Sequence, residues 1–339
     1  MKGSVNKMNI DFNSIYTNLS SDNSRKKIDK VRLYAWKIIR TILLLGIGYI
    51  ILYPILYMIS MSFRDVADLY DPTVVWIPKH LTLENFKRVM DGMPYFFCLL
   101  NTVLLSLGCS LLLLPACSML AYSLARFKYK GQNIIFAAVL LTIIVPIEFF
   151  ALASFTNFAD FDVFGILELA SLVGGKHISV NITDTFTTFF LPSFFGIGIR
   201  SGLYIYILRQ SFKGLPKELE EAAYIDGCGF IQTFLRIIIP SAVPAFVTVF
   251  LFSFVWHWND YQLSSIYMPQ NRTLSAALVN LSSLINESIG TIVAQTVDPK
   301  QSVLDSKVGS LLVIAPVVIL YMALQRFFTE SIERTGLVE

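Results

Sequence analysis

Charged residues are scarce in this sequence of 339 residues: Asp, Glu, Lys and Arg together make up 15% of it, whereas hydrophobic residues make up 55%. An average soluble domain carries about 25% charged and about 45–50% apolar residues. The mean hydropathy of +0.61 points the same way. The shortage of charge favours a membrane protein, and a net charge of only +3 gives no reason to expect a nucleic-acid partner.

Cysteine and histidine are also few, and their spacing matches neither a metal site nor a disulfide framework. No C-x-x-C pair and no close pair of histidines occurs. A phosphate-binding G-x-x-x-x-G-K-[ST] loop is missing as well, so the sequence predicts no metal, no disulfide and no bound cofactor. The cysteines are Cys98, Cys109, Cys117 and Cys228, and the histidines are His80, His177 and His257.

Long apolar runs are abundant. Six of them lie near 38–60, 97–121, 134–156, 188–208, 238–257 and 308–325. A helix needs about 20 apolar residues to cross the hydrocarbon core of a bilayer. The core helices of a large soluble protein are usually shorter and carry a polar stripe, whereas these runs are apolar on all sides. We therefore predict an all-α membrane protein with six transmembrane helices.

Lys and Arg are divided unevenly between the loops. With the N-terminus in the cytoplasm, the cytoplasmic segments hold 18 of them and the opposite segments hold 7. Because cytoplasmic loops carry the excess of positive charge, both termini are predicted to be cytoplasmic. Residues 1–36 are polar and lack the apolar core of a signal peptide. They are predicted to form a cytoplasmic tail, disordered over most of residues 1 to about 30, followed by a six-helix transmembrane domain at 37–339.

The loop between the fourth and fifth runs has a helix pattern of its own. Pro216 stands where a first-turn proline is tolerated, and Gly227 stands at a C-terminal stop. Leu215, Leu219 and Ala222 share one face, and small side chains on such a face let a partner backbone come close. From the apolar pattern alone, a plain connector explains this loop as well as a docking surface does.

The spacing within this loop resembles a known motif. Glu221-Ala222-Ala223 is followed after three residues by Gly227, and after nine more by Ile237-x-Ile239-Pro240. This order resembles the EAA loop of binding-protein-dependent ABC importer permeases, with Ile239 where that family has Leu. Other segments resemble the maltose-type carbohydrate branch of the family: Leu191-Pro192, Leu208-Arg209-Gln210, Trp258-Asn259-Asp260 and Gln325-Arg326-Phe327-Phe328.

The resemblance implies a type I ABC importer permease fold, in a multi-pass subunit of the bacterial plasma (inner) membrane. It implies half of a translocation path for a carbohydrate and no enzyme activity, since a partner ATPase binds the ATP and Mg²⁺. The implied partners are a second permease subunit, a cytoplasmic ABC ATPase dimer, an extracytoplasmic sugar-binding protein and the lipid bilayer. The EAA loop, at about 214–240, is implied to dock on the ATPase through Glu221, Ala222, Ala223, Asp226, Gly227, Ile237 and Pro240.

Two charges lie well inside apolar runs, Glu148 in the third and Arg200 in the fourth. Ionisable groups within a membrane are costly and usually functional. These two either line the translocation path or pair with each other and hold two spans together. Trp258 and Asn259 are further candidates for the path, because they can stack on a sugar and hydrogen-bond to it. A tryptophan near the end of a span equally suits the membrane interface.

Two other classes of membrane protein are less consistent with the sequence. A transporter driven by an ion gradient shows intramembrane acids and broken helices in two repeats, but no repeat is visible here. A membrane enzyme needs a nucleophile, a base or metal ligands within its spans, and no such group of residues is evident.

The orientation can be tested by placing single cysteines at Ser21, Gly175 and Ser283 and labelling intact cells with a membrane-impermeant maleimide. The charge distribution predicts labelling at positions 175 and 283 and protection at position 21. External labelling at position 21, or protection at the other two, would reverse the orientation.

Overall fold

The computed structural model describes residues 12–162, 179–270, 272–288 and 298–336. Residues 1–11 of the predicted tail and residues 163–178 of the predicted outer loop lie outside this range. In chain order the helices are α1 (Phe12–Ser62), α2 (Glu84–Gly92), α3 (Tyr95–Arg126), α4 (Gln132–Ile144), α5 (Ala151–Ala159), α6 (Thr187–Phe194), α7 (Ser201–Gly214), α8 (Glu218–Ile225), α9 (Phe230–Thr233), α10 (Ile239–Ser241), α11 (Val243–Asn259), α12 (Gln262–Tyr267), α13 (Leu274–Val279), α14 (Leu281–Ser288) and α15 (Pro299–Gly336).

The described residues form helices and only isolated bridges in place of strands, which confirms the predicted all-α class. Short non-α segments join some helices: 3₁₀ turns at Val66–Leu69 and Ile147–Phe150, and a π-helical turn at Phe234–Ile238. The chain divides into two units, residues 1–60 and 61–339.

The first unit is most of α1. The helix begins at Phe12, so the prediction of disorder is wrong from residue 12 to about residue 30. Extending an existing helix needs no new nucleus, and Lys and Arg are good helix formers, which explains why this polar stretch stays helical. Further along, Leu45 and Ile50 are 68% and 71% exposed, as expected of a helix whose sides face lipid.

Three helices among the described residues are long and apolar enough to cross a membrane: Lys30–Ser62, Tyr95–Arg126 and Pro299–Ala323. Two bent pairs raise the number to five if each pair counts as one span. The chain bends by 92° between Gln132–Ile144 and Ile147–Ala159. It bends by 77° between Phe230–Ser241 and Val243–Asn259. The fourth predicted span, 188–208, is divided between α6 and α7, so the count of six stays a prediction.

The breaks have local causes. Pro146 follows the end of α4, and Val145 before it is extended, as the residue preceding a proline usually is. Between α6 and α7 the backbone turns through two residues of positive φ, Gly196 at 71° and Arg200 at 59°. Hydropathy does not register such turns, because the residues around them are still apolar.

Helix α3 is central in the second unit and packs against α6, α7 and α11. Its C-terminal half lies in a buried cluster with α7 and the π-helical turn, which includes Tyr122, Phe212 and Phe234. On the other side of α7, Gly202 lets α4 come close, since a Cβ there would lie 2.8 Å from the Val139 carbonyl oxygen. The cluster around Tyr122 supports the loop that carries the candidate site.

Candidate functional site

The loop after α7 ends its first helix with a well-formed cap. The backbone N–H of Gly227 donates to the Tyr224 carbonyl at 3.1 Å, and that of Cys228 donates to the Ala223 carbonyl at 2.9 Å. This pair of bonds is the Schellman motif, which places its C′ residue in the left-handed region. Gly227, the predicted C-terminal stop, is this residue and has a φ of +82°. The helix itself, α8, begins at Glu218, two residues after the predicted Pro216.

Helix α8 turns one side inward and leaves an apolar strip on the other. Ala223 is 2% exposed, whereas Ala222 is exposed. Leu219 and Ile225 are 38% and 85% exposed. Leu219, Ala222 and Ile225 are three residues apart, so they lie along one face of the helix. This apolar strip exposes the hydrophobic side chains of Leu219 and Ile225, with the small side chain of Ala222 between them.

The inner side of α8 is attached to the end of α3 by an ion pair. Arg126 Nε lies 2.6 Å from Glu220 Oε1, and the two side chains are only 7% and 12% exposed. Arg126 also donates from Nη2 to the Leu215 carbonyl at 2.8 Å, at the end of α7. One guanidinium group therefore connects α3, α7 and α8. Two charges removed from water in this way are stable only as a pair.

Aromatic rings attach the second helix of the loop to the same place. Tyr122, 2% exposed and one turn before Arg126, has its ring centroid 4.8 Å from that of Phe234 and 5.6 Å from that of Phe230. Phe212 of α7 approaches it edge-on at 5.7 Å. Such pairs add about 0.5–1.5 kcal/mol each beyond the area they bury. Both short helices of the loop thus rest on the last turns of α3.

The end of α3 is itself well bonded. The Leu124 carbonyl, in the last helical turn, accepts hydrogen bonds from Arg209 Nε at 3.1 Å and from Gln132 Nε2 at 2.9 Å. The Arg209 guanidinium also stacks 3.7 Å from the centre of the Phe136 ring. A helix end leaves carbonyls without partners, and these side chains satisfy one of them. The result is a fixed base for the loop.

The remaining residues predicted for the loop take different positions. Glu221 and Asp226 are exposed, and Asp226 forms the C-cap of α8. Ile237 lies partly buried in the π-helical turn, where its neighbour Ile238 is fully buried, and Pro240 is exposed in α10. The sequence missed the ion pair of Arg126 with Glu220. Arg126 closes an apolar run, and the residues around it in the sequence gave no signal of its partner.

The two intramembrane charges do not pair with each other. Among the described residues, Arg200 and Glu148 form no ion pair, so the predicted alternative of a structural pair is wrong for this conformation. The Arg200 guanidinium instead lies 4.6 Å from the centre of the Trp256 ring, and Glu148 is exposed in the 3₁₀ turn after Pro146. A cation over an aromatic face is an alternative way to stabilise a partly buried arginine.

Trp258 and Asn259 lie on opposite sides of the end of α11. Trp258 is 3% exposed, and its indole N–H donates to the Val313 carbonyl at 3.2 Å. It therefore packs in the core between α11 and α15. Asn259 is exposed. A translocation-path role for Glu148, Arg200, Trp258 and Asn259 stays a prediction.

Comparisons with known proteins agree with the sequence motif. The sequence model of the family described as "Binding-protein-dependent transport system inner membrane component" matches residues 117–334, well over half of the chain. That range contains the loop, the end of α3 and most of α15.

Individual relatives cover most of the chain. The arabinooligosaccharides transport system permease protein AraQ of Halalkalibacterium halodurans is 28% identical over 86% of this chain and 92% of its own length. The trehalose transport system permease protein SugB of Mycobacterium tuberculosis is 24% identical over 86% and 92%. The diacetylchitobiose uptake system permease protein DasC of Streptomyces coelicolor is 24% identical over 84% and 91%.

A solved structure shares the fold. It is described as the crystal structure of a bacterial ABC transporter involved in the import of the acidic polysaccharide alginate. One of its chains superposes with a TM-score of 0.59 at 21% sequence identity, over 86% of this chain and 96% of that chain. At this level of identity the match concerns the fold alone.

The ion pair predicts a specific response to mutation. Arg126→Met leaves the Glu220 carboxylate buried without a partner, so we expect the free energy of unfolding of the purified subunit to fall by about 3–5 kcal/mol. The double variant Arg126→Met/Glu220→Leu should recover most of that loss, because a well-packed apolar pair replaces the charges. Thermal unfolding, followed by tryptophan fluorescence, measures the stability of the single and the double variant.

Glu218→Gln serves as the control, since Glu218 is exposed on the same helix. If Arg126→Met unfolds at the temperature of Glu218→Gln, the ion pair contributes nothing to stability and the attachment of α8 rests on the aromatic rings alone.

Proposed function

The chain belongs to the family of binding-protein-dependent transport system inner membrane components, and from that premise we propose that it is a carbohydrate-importing permease subunit driven by a separate ATPase. Membership confirms the resemblance drawn from the EAA spacing and the location in the inner membrane. It also confirms that the chain is a component of a transporter and not an enzyme. The substrate class, the partners and the coupling route below are our proposal.

The relatives support a carbohydrate as the substrate. Their printed names refer to arabinooligosaccharides, trehalose and diacetylchitobiose, all of them neutral sugars of two or more units. We propose that this chain takes a substrate of the same class, together with a second permease subunit, a cytoplasmic ATPase dimer and an extracytoplasmic sugar-binding protein. In this arrangement the chain forms half of the translocation path.

The observation that carries the coupling proposal is the combination of an outward apolar strip and an inward ion pair on one helix. Leu219, Ala222 and Ile225 provide the strip that the ATPase grips. Glu220, on the inner side, is paired with Arg126 at the end of α3. Force applied to α8 by closure of the ATPase dimer therefore reaches a helix of 32 residues that runs through the centre of the permease. This arrangement fits a coupling role better than that of a plain connector.

Three substitutions test this role. Ala222→Leu places a large side chain on the gripped strip, Gly227→Val strains a backbone at a φ of +82°, and Glu221→Lys reverses an exposed charge beside the strip. Each is expected to reduce uptake at least tenfold while the amount of the subunit in the membrane stays normal. The first two should also weaken co-purification of the ATPase. Uptake is measured in intact cells with radiolabelled arabino-oligosaccharides, trehalose and diacetylchitobiose.

Gly229→Val is the matched control for Gly227→Val. Gly229 has an ordinary extended backbone, with a φ of −75°, and open space around its Cα, so a valine fits there. It should leave the subunit folded and the ATPase bound. Normal uptake and normal ATPase retention in all three test variants would reduce the loop to a connector and remove the coupling proposal. A wild-type strain that accumulates none of the three sugars would contradict their assignment as substrates.

A further inference from the structure

A second site lies away from the loop, in a pocket of about 220 Å³ between α5, α6, α11 and α12. Three aromatic rings line it, from Phe158, Phe189 and Tyr267, and its polar lining comes from Ser154, Asn157, Thr188, Ser193 and His257. None of the residues that line it is an acid, a lysine or an arginine. The pocket is therefore mostly apolar, with a few polar groups that converge, which is the usual character of a site for a small neutral ligand.

His257 lines this pocket and carries a hydrogen-bond acceptor that no described residue uses. The side chain is 1% exposed, and its Nδ1 lies 2.8 Å from the Ser253 carbonyl oxygen. Because a carbonyl oxygen only accepts, Nδ1 carries the hydrogen, and Nε2 of the neutral ring is an acceptor. A protonated ring would be a buried charge, and no acidic side chain lines this pocket to offset it. Within the described part of the chain, Nε2 receives no hydrogen bond.

A buried acceptor without a donor is costly, and a ligand that donates to it removes that cost. Ser193, on α6, also lines the pocket, and its buried hydroxyl lies beside the Cys109 thiol. His257 Nε2 is thus a buried acceptor beside the pocket for which the described residues supply no donor.

The backbone around the pocket is broken in two places. Ile147 belongs to the 3₁₀ turn between α4 and α5, and residues 197–199 belong to the turn between α6 and α7. Both turns interrupt apolar runs long enough to span a membrane. Non-helical backbone at such positions is tolerated where it is buried in protein or lines a cavity, and broken helices frequently form the substrate sites of transporters.

We propose that this pocket, the His257 pocket, binds one ring of the neutral sugar during transport, with a sugar hydroxyl donating to His257 Nε2. The proposal rests on the carbohydrate function proposed above and adds the residues that contact the sugar. A cavity of about 150 Å³ holds a benzene ring, so 220 Å³ accommodates a single substituted sugar ring. The faces of Phe158, Phe189 and Tyr267 pack against the C–H face of that ring. The lack of charged lining residues favours neutral over acidic sugars.

The test uses the assembled transporter, reconstituted in lipid nanodiscs without the sugar-binding protein, so that binding to the permease is measured directly. Tritiated arabino-oligosaccharides, trehalose and diacetylchitobiose are the probes, and a scintillation proximity assay gives the Kd. His257→Phe keeps a ring of similar size and removes the acceptor, and it should weaken binding about five- to tenfold. His257→Gln should retain wild-type affinity within about twofold, because its amide oxygen accepts the same hydrogen bond.

Thr248→Val is the control on the same helix, since its hydroxyl bonds only to the Pro244 carbonyl of α11, at 2.9 Å, and does not line the pocket. It should bind as wild type does. If His257→Phe fails to assemble, the Kd of Ser193→Ala is measured in its place. A Kd equal to that of the wild type would then overturn the proposal. An unchanged Kd in His257→Phe would mean that the pocket holds only water. Uptake by cells without saturable binding to the nanodiscs would overturn the pocket and leave the proposed function intact, whereas absence of uptake would overturn both.

Discussion

The ion pair between Arg126 and Glu220 is the interaction on which the position of helix α8 depends. It brings together the end of α3, the end of α7 and the exposed helix α8 through one guanidinium group. Both charges have lost most of their hydration, so each needs the other, and removal of either leaves a buried charge. A contact of this kind has one favourable geometry, which is why α8 is held in place with its apolar strip outward.

A second constraint acts on the backbone within the apolar runs. In lipid, every N–H and C=O needs a partner, which keeps spans helical unless the irregular backbone faces protein or a cavity. Three of the runs nevertheless break, after α4, before α7 and before α11. The first two breaks border the His257 pocket. The molecule thus combines a rigid α3, on which the loop rests, with interrupted helices where a polar ligand has room.

Local signals predicted much of the loop and little of its attachment. Pro216 and Gly227 bracket α8 correctly to within two residues, because caps are set by neighbouring residues. The partner of Glu220 is 94 positions away in the sequence, so no local pattern reveals it. Hydropathy also overlooked the breaks at Pro146 and Gly196, and no local pattern indicated that the Trp258 indole donates to α15 in the core. The pairing of Glu148 with Arg200 failed because Trp256 offers the arginine a different partner.

Coupling through α3 requires the loop and the end of α3 to move as one body, and a distance between two spin labels measures whether they do. Lys128, two residues beyond α3, and Lys217, at the N-cap of α8, are both exposed and accept labels on cysteine substitutions. Pulsed electron spin resonance on the assembled transporter, in a background without the native cysteines, gives the distance with and without ATP. We expect the same narrow distribution in both states. A distribution that shifts or broadens on ATP binding, while the ATPase stays attached, would contradict coupling through α3.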